Sequence, residues 1–566
     1  MAYTVAIGIQ SFDKLREGNC FYIDKTSFIK EWWENKDDVT LITRPRRFGK
    51  TLNMSMVEQF FSLNYANRGD LFEGLSIWQE EKYRELQGTY PVISLSFANV
   101  KERTFEATKE KINQLIAKLY SQYSFLQESE FMTSIDKEFF GCISLDMKET
   151  DVTTALHNLS DYLQRYYGKK VIILLDEYDT PMQEAYVHGY WEEMVAFIRS
   201  LLNATFKTNQ HLERAIMTGI TRVSKESVFS DLNNLKVVTT TSKEYATSFG
   251  FTEEEVFASL EANGLGKEKE KVKKWYDGFV FGNYRDIYNP WSILNFLDTG
   301  VYQTYWANTS SNSLVAKLIR EGSKRVKTGF ETLLQGETIA CPIDEQIVYN
   351  QLKGNEGAVW SLLLACGYLK VLNKEEYDKL GENLRPKYEL DITNLEVRVM
   401  FQSMVRSWFD ETEQEYGDFV KALLLGDIKA MNHYMKRVTM QTFSYFDTGK
   451  GPLGYEPERF YHGFVLGLLV DLNQEYIVTS NRESGFGRYD VIIEPRDKDK
   501  PAIILEFKVH DSEDEKSMEE TVASALAQIE EKQYEANLIA KGIPKKNIRK
   551  YGFAFEGKNV LIGGKT

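Results

Sequence analysis

Gly49-Lys50-Thr51 follows the apolar run Val39-Thr40-Leu41-Ile42 and the stretch Thr43-Arg44-Pro45-Arg46-Arg47-Phe48, and precedes the helix-like Leu52-Asn53-Met54-Ser55-Met56. That order suits a phosphate chain, which needs backbone N–H groups at a helix N-terminus, a lysine for the β and γ phosphates, and a hydroxyl for magnesium. Lys50 and Thr51 stand where the last two roles require. Arg44 replaces the first glycine of G-x-x-x-x-G-K-[ST], so the pattern is incomplete. The competing reading is a strand-to-helix turn in which Gly49 relieves crowding and Lys50 is solvated.

A second segment, Lys169-Lys170-Val171-Ile172-Ile173-Leu174-Leu175-Asp176-Glu177, is an apolar run ending in two acids. It reads as a buried parallel strand. At its end Asp176 is placed to hold magnesium and Glu177 to polarise an attacking water. Ordinary strands also end in acids where they meet water, but both features in one chain and in this order favour a nucleotide site. The run Arg214-Ala215-Ile216-Met217-Thr218-Gly219-Ile220-Thr221-Arg222 brings polar groups to the same end of the sheet. Thr218 or Thr221 is a candidate γ-phosphate sensor and Arg222 a candidate for stabilising transferred charge, each balanced by a plain strand-end reading.

A third constellation lies in the tail: Gly487-Arg488-Tyr489-Asp490-Val491-Ile492-Ile493-Glu494, then Pro501-Ala502-Ile503-Ile504-Leu505-Glu506-Phe507-Lys508-Val509. Adjacent strands bring Asp490, Glu506 and Lys508 together. Alternation along the second strand puts Glu506 and Lys508 on one face and Leu505 and Phe507 on the other. Two carboxylates suit magnesium at a scissile phosphate, with the lysine orienting the nucleophile; a surface Glu/Lys pair is the alternative. Glu458 and His462 lie one helical turn apart in an apolar helix before these strands, and Gln528 and Lys532 share a face of a helix after them, with Tyr534 on another. His462 is one of six histidines and more often such a residue is a satisfied core or capping group; Gln528 reads equally as a surface residue.

The elements that must position these groups are readable in outline. Pro91-Val92-Ile93-Ser94-Leu95-Ser96-Phe97 adds a further strand, helical stretches separate the strands, and a doubly wound sheet follows. The next region is mainly helical. Lys267-Glu268-Lys269-Glu270-Lys271 reads there as a solvated face. Ala358 to Cys366 followed by Gly367-Tyr368-Leu369-Lys370-Val371-Leu372 and Lys387-Tyr388-Glu389-Leu390-Asp391-Ile392 gives a helix-then-hairpin order compatible with a winged-helix unit or with packing between domains.

At 566 residues the chain exceeds one core, and three domains are expected, at 1–245, 246–450 and 451–566. Hydrophobic content is 43%, with no basic-then-apolar leader and no apolar run of bilayer length, which points to a cytoplasmic protein without membrane partners. Cys20, Cys142, Cys341 and Cys366 are dispersed without zinc spacing and are expected as reduced packing residues. A net charge of −14 gives broad adhesion to nucleic acid no support, and residues 451–566 carry 20 acidic and 16 basic residues, a net of −4. A nuclease with that charge needs metal and a local groove.

At these residues the chain resembles bacterial AAA-ATPase-like proteins whose C-terminal domain is similar to PD-(D/E)xK nucleases. The resemblance spans nearly the whole sequence. It rests on Gly8-Ile9-Gln10-Ser11-Phe12, Phe21-Tyr22-Ile23-Asp24-Lys25-Thr26, Arg44 to Thr51, Thr218 to Ser224, Asn233-Asn234-Leu235, Trp275-Tyr276-Asp277-Gly278-Phe279 and Tyr288-Asn289-Pro290-Trp291-Ser292-Ile293. In the tail it rests on Phe460-Tyr461-His462-Gly463-Phe464, Asp490 and Glu506-Phe507-Lys508. The resemblance implies an α/β protein: a P-loop NTPase parallel sheet, a mainly helical middle and a small α/β nuclease-like domain. It implies ATP and Mg2+ as cofactors, with Mn2+ an alternative at the nuclease site, and DNA or RNA as partner. Arg44, Arg47, Gly49, Lys50, Thr51 and Asp176 then face the nucleotide, Thr51 and Asp176 hold its metal, and Glu177 and Arg222 serve hydrolysis. Asp490 and Glu506 hold the second metal and act with Lys508. An ATP-gated nuclease, in mobile-element or phage-defence biology, is the leading expectation, and assembly into a homo-oligomer is left open. The competing class is a nucleotide-dependent switch or scaffold with a non-cleaving recognition domain.

Overall fold

The computed structural model describes residues 4–565 apart from 223–228, 230–231, 308–312, 345–351, 353–354, 376–384, 409–412, 447–455, 482–488 and 512–514. Side chains at 313, 321, 324, 413, 441–446, 456–462, 481, 489–490 and 565 also lie outside the described set. The chain forms two compact units, residues 1–310 with 340–397, and residues 311–339 with 398–566.

The first unit is built on a five-stranded parallel sheet of β1 (Val39–Thr43), β2 (Val92–Ser96), β3 (Val171–Asp176), β4 (Leu212–Gly219) and β5 (Leu235–Val238), in the order β2-β3-β4-β1-β5. β1 and β3 are buried at every residue, as expected of central parallel strands covered on both faces, and this is why their sequences run apolar without alternation. β1 lies between β4 and β5, and the register sets Thr43 beside Gly219. The carboxyl ends of β1, β3 and β4 therefore open together where the strand order breaks from sequence order. Ligands of open α/β sheets bind in such a crevice. β5 has one fully buried residue in four.

Beyond this sheet the first unit adds β6 (Phe251–Thr252), β7 (Phe279–Phe281) and β8 (Tyr284–Tyr288) in the order β6-β8-β7, and β9 (Ile339–Pro342), β10 (Leu369–Lys374) and β11 (Lys387–Ile392) in the order β10-β11-β9. The expected helix and hairpin are present: the helix Glu356–Ala365 leads into β10, which pairs antiparallel with β11. All four cysteines are free; Cys341 is buried and Cys20 and Cys366 are half-buried, but Cys142 is exposed and does not serve as a packing residue.

The second unit holds β12 (Tyr476–Asn481), β13 (Tyr489–Pro495), β14 (Ala502–Val509), β15 (Ile548–Glu556) and β16 (Asn559–Lys565) in sequential order. Only the β14–β15 pair is parallel, and the helix Met518–Glu531 makes the crossover that a parallel pair requires. On one face Ala502 and Ile504 pack with Ile529, Leu538 and Ile543. On the other, the Phe507 ring lies 4.8 Å from Phe553 and 6.2 Å from Phe464. The alternation read from the sequence thus divides β14 correctly, with Glu506 and Lys508 on the face that carries Ala502 and Ile504. No helix among the described residues is long and apolar enough to cross a membrane.

Candidate functional site

The end of β1 turns into the helix Lys50–Phe61 through Gly49, whose φ of 79° falls in the left-handed region that favours glycine. The helix N-terminus brings its unpaired N–H groups and the positive end of its dipole to the carboxyl edge of the sheet. Lys50 is buried, and its Nζ donates to the carbonyls of Arg44 at 3.1 Å and Pro45 at 3.0 Å. Burial pulls its pKa below the usual lysine range, opposed by the charges of Glu177, Asp176 and Asp179.

Thr51 Oγ1 donates to Asp176 Oδ2 at 2.7 Å, and Thr218 Oγ1 donates to Asp176 Oδ1. Burial raises the Asp176 carboxyl while these two hydroxyls lower it. The pair predicted to hold one ion is therefore in direct contact across the strand end. Thr218 is a partner of that acid, and its Oγ1 also accepts from the Glu177 backbone N–H at 3.3 Å. Glu177 adopts φ of 51°, an unusual conformation for a residue with a side chain, and strain of this kind clusters at functional positions.

These groups border a cavity of about 460 Å³ whose lining includes Arg46, Arg47, Gly49, Lys50, Thr51 and Glu177 together with the apolar Ala6, Ile9, Phe21, Ile23, Phe251 and Trp291. Charged and apolar groups in one lining are the two kinds of contact that a nucleotide's phosphates and base require. Arg47 lies with its guanidinium 4.2 Å over the Trp291 ring.

Two predicted members stand elsewhere. Arg44 does not line the cavity: its guanidinium is fully buried, donates to the carbonyls of Thr43, Thr239 and Glu244 at 2.9, 2.7 and 3.3 Å, and lies 4.6 Å over the Phe281 ring. Burial lowers its pKa to about 9. The residue in place of the first loop glycine is thus a staple between β1 and the segment after β5, in correction of the expected nucleotide contact. Arg222 also lies outside this cavity; it borders a small hollow with Thr43, Thr239, Thr240 and Thr241, and its buried Nε has no hydrogen-bond partner among the described residues.

Asp179 was not singled out from the sequence. Its buried Oδ2 accepts from the N–H groups of Ile220 and Thr221 at 3.0 and 2.9 Å, from Thr221 Oγ1 at 2.9 Å and from Gln183 Nε2 at 3.0 Å. Thr221 is thereby committed to holding the end of β4. A Cβ on Gly219 would stand 2.7 Å from Asp179 Oδ1 and 2.7 Å from the Tyr178 ring, so close approach excludes a side chain there. The available sequence signal was the second acid of Asp176-Glu177-Tyr178-Asp179.

In the second unit, β13 and β14 set Asp490 opposite Glu506, and β12 sets Asn481 opposite Asp490. The Asp490 side chain, with Gly487, Arg488, Glu458 and His462 in whole or in side chain, lies outside the described set. Glu506 is fully buried, and neither carboxylate oxygen has a hydrogen-bond partner among the described residues. Lys508 Nζ donates to Ser524 Oγ at 2.7 Å. Gln528, one turn beyond Ser524, is buried with its Nε2 unpartnered. Ser524 was missed; its i, i+4 spacing from Gln528 was the legible sign. A buried carboxylate without a donor carries a large desolvation cost unless a cation offsets it, so the donor set fits a divalent metal held by hard oxygens.

Two stretches of the chain match known family models. Residues 6–229 match the family model described as "Predicted AAA-ATPase", and residues 456–565 match the model of the PD-(D/E)XK nuclease superfamily. A protein of Azotobacter chroococcum mcd 1, described as an uncharacterized protein in the vnfD 5'region, is 25% identical over 394 residues, covering 69% of this chain and 68% of that protein.

Proposed function

We propose that this chain, which joins an AAA-ATPase-like domain to a PD-(D/E)XK nuclease superfamily domain, binds and hydrolyses ATP and uses nucleotide state to control a metal-dependent phosphodiesterase acting on nucleic acid. The observation that carries the nuclease half is the fully buried Glu506 with both oxygens unpartnered, set opposite Asp490 and two residues from Lys508. A structural acid in that position would have been given a donor.

In the N-terminal domain, Lys50 neutralises the β and γ phosphates, Thr51 and Asp176 hold the nucleotide's Mg2+, and Glu177 accepts a proton from the attacking water. Magnesium, when bound there, offsets charge on the phosphates. In the C-terminal domain, Asp490 and Glu506 hold Mg2+ or Mn2+, which would supply charge compensation at the scissile phosphate. Lys508, held by Ser524, orients the nucleophile and steadies the phosphate's developing charge.

The test is cleavage of single-stranded DNA, double-stranded DNA and RNA by the full chain with magnesium or manganese, with and without ATP, beside Asp490→Ala. Cleavage that disappears in the variant is the expected result. Undiminished cleavage by Asp490→Ala, or ATP hydrolysis without cleavage under any condition, would overturn the nuclease reading and leave a nucleotide-dependent switch.

A further inference from the structure

Between Arg44 and Gly49 the loop contains no glycine, and each residue is anchored from outside. A Cβ on Gly367 would stand 2.8 Å from Pro45 Cγ, so the helix-to-β10 turn lies directly on Pro45. The Arg46 carbonyl accepts from Trp306 Nε1 at 3.0 Å and from Asn289 Nδ2 at 3.4 Å. Arg47 lies over Trp291, and the Phe48 ring is 4.7 Å from Phe279 and 5.4 Å from Phe281. A glycine-rich loop takes its shape from backbone freedom. Here side chains between residues 279 and 306 set it.

Trp306 is itself placed by Glu396. That fully buried carboxylate accepts from the N–H groups of Trp306 at 2.6 Å and Ala307 at 3.3 Å, and from Ser292 Oγ at 2.8 Å. Ser292 belongs to the helix Pro290–Thr299, which Asn289 caps. One indole and one carboxylate thus tie the loop to two chain segments. Those segments are where the chain passes into the second unit: its parts begin at residues 311 and 398, just after Ala307 and Glu396.

A bound phosphate would offer Lys50 a second partner. Lys50 now donates to the Arg44 and Pro45 carbonyls. A lysine that moves to a phosphate leaves those carbonyls without their donor, and the next carbonyl along is the one Trp306 holds. We propose that Trp306 and Glu396 are positioning residues that carry nucleotide occupancy of the loop to the two crossings that lead into the second unit, and so regulate the C-terminal domain. This rests on the reading of the cavity as an ATP site. The physical content is a differential set of contacts with and without ligand, which any coupling between sites requires.

The test is amide hydrogen exchange on the full chain, with and without ATP and magnesium. Binding should slow exchange at residues 44–51 and also change it at 306–307 and 395–400. Trp306→Phe keeps the ring and removes the indole donor; the change at 44–51 should persist and that at 395–400 should be lost. Glu396→Ala should lose it as well, and Glu396→Gln, which keeps an acceptor for both N–H groups, should restore it. A purely structural role would instead loosen all regions regardless of nucleotide. An unaltered response at 395–400 in a folded Trp306→Phe chain, or a wild-type response confined to 44–51, overturns the proposal alone. No response at 44–51 in the wild type overturns the ATP reading and the proposal with it.

Discussion

Replacing Glu506 by glutamine should stabilise the second unit in the absence of divalent metal. Glu506 is fully buried and both its oxygens lack partners, so the folded state carries the desolvation cost without a compensating bond. A buried unsatisfied polar group costs roughly 1–3 kcal/mol, and a charged one more. Glutamine keeps the shape and removes the charge, so a gain of about 2 kcal/mol in chelator at pH 7.5 is expected. For a unit of about 200 residues that corresponds to an upward shift of roughly 4–8 °C. Metal should reverse the ranking. Wild type should gain about 2.7 kcal/mol when magnesium or manganese exceeds its dissociation constant a hundredfold, while Glu506→Gln should gain little. The assay is calorimetric unfolding of both proteins in EDTA and across a metal titration, following the transition of the C-terminal unit separately because a two-unit chain has no single midpoint. A variant that is less stable in EDTA and responds to metal as wild type does would refute the reasoning, because the carboxylate would then be compensated within the chain.

Lys50→Ala should abolish nucleotide hydrolysis, and unchanged turnover would remove Lys50 from the site. Glu177→Gln should keep nucleotide affinity and slow turnover by about 10²–10⁴-fold, the range for loss of a general base; an equal loss of affinity in a binding titration would make Glu177 structural. Lys508→Ala should stop nucleic-acid cleavage and leave ATP turnover intact, measured in parallel on one preparation, and retained cleavage would dismiss it. Burial pushes the Glu396 carboxyl up to about 7 from an ordinary 4.5. The folded state therefore keeps a proton that the unfolded state releases, so this residue's contribution to stability is greatest below about pH 4.5 and is lost as pH rises through 7, by up to about 3 kcal/mol. Urea unfolding from pH 5 to 8 should show that decline in wild type and a flatter profile in Glu396→Gln; parallel profiles would disprove it.

What could be read from the sequence was whatever local order decides. The apolar runs at 39–43 and 171–176 are continuous because both faces of the sheet are covered, and the acids and hydroxyls at their ends meet because parallel strands finish together. Alternation was enough to place Glu506 and Lys508 on one face. Arg44 could not be read in this way. Its burial depends on Phe249 and Phe281 and on carbonyls at 239 and 244, about two hundred residues away, so a residue inside a binding motif looked like a ligand contact while serving as a staple. Asp179 failed for the same reason: apart from Gln183, its partners are the Ile220 and Thr221 amides and the Thr221 hydroxyl, about forty residues away at the end of another strand. Trp306, which donates to the Arg46 carbonyl, and Glu396, which accepts from the Trp306 N–H, are separated from the loop by more sequence still.

The two sites treat their acids in opposite ways, and this has a consequence for how they depend on metal. Asp176 has a hydroxyl on each oxygen, from Thr51 and Thr218, so its strand end is satisfied before any ion arrives. An ion entering there must displace or share Thr51, and gains correspondingly less from an acid already supplied with donors. Glu506 has no donor on either oxygen. An ion entering there relieves a cost already present in the folded chain, so its binding adds directly to stability. Metal removal should therefore lower the unfolding temperature of the C-terminal unit more than that of the N-terminal one.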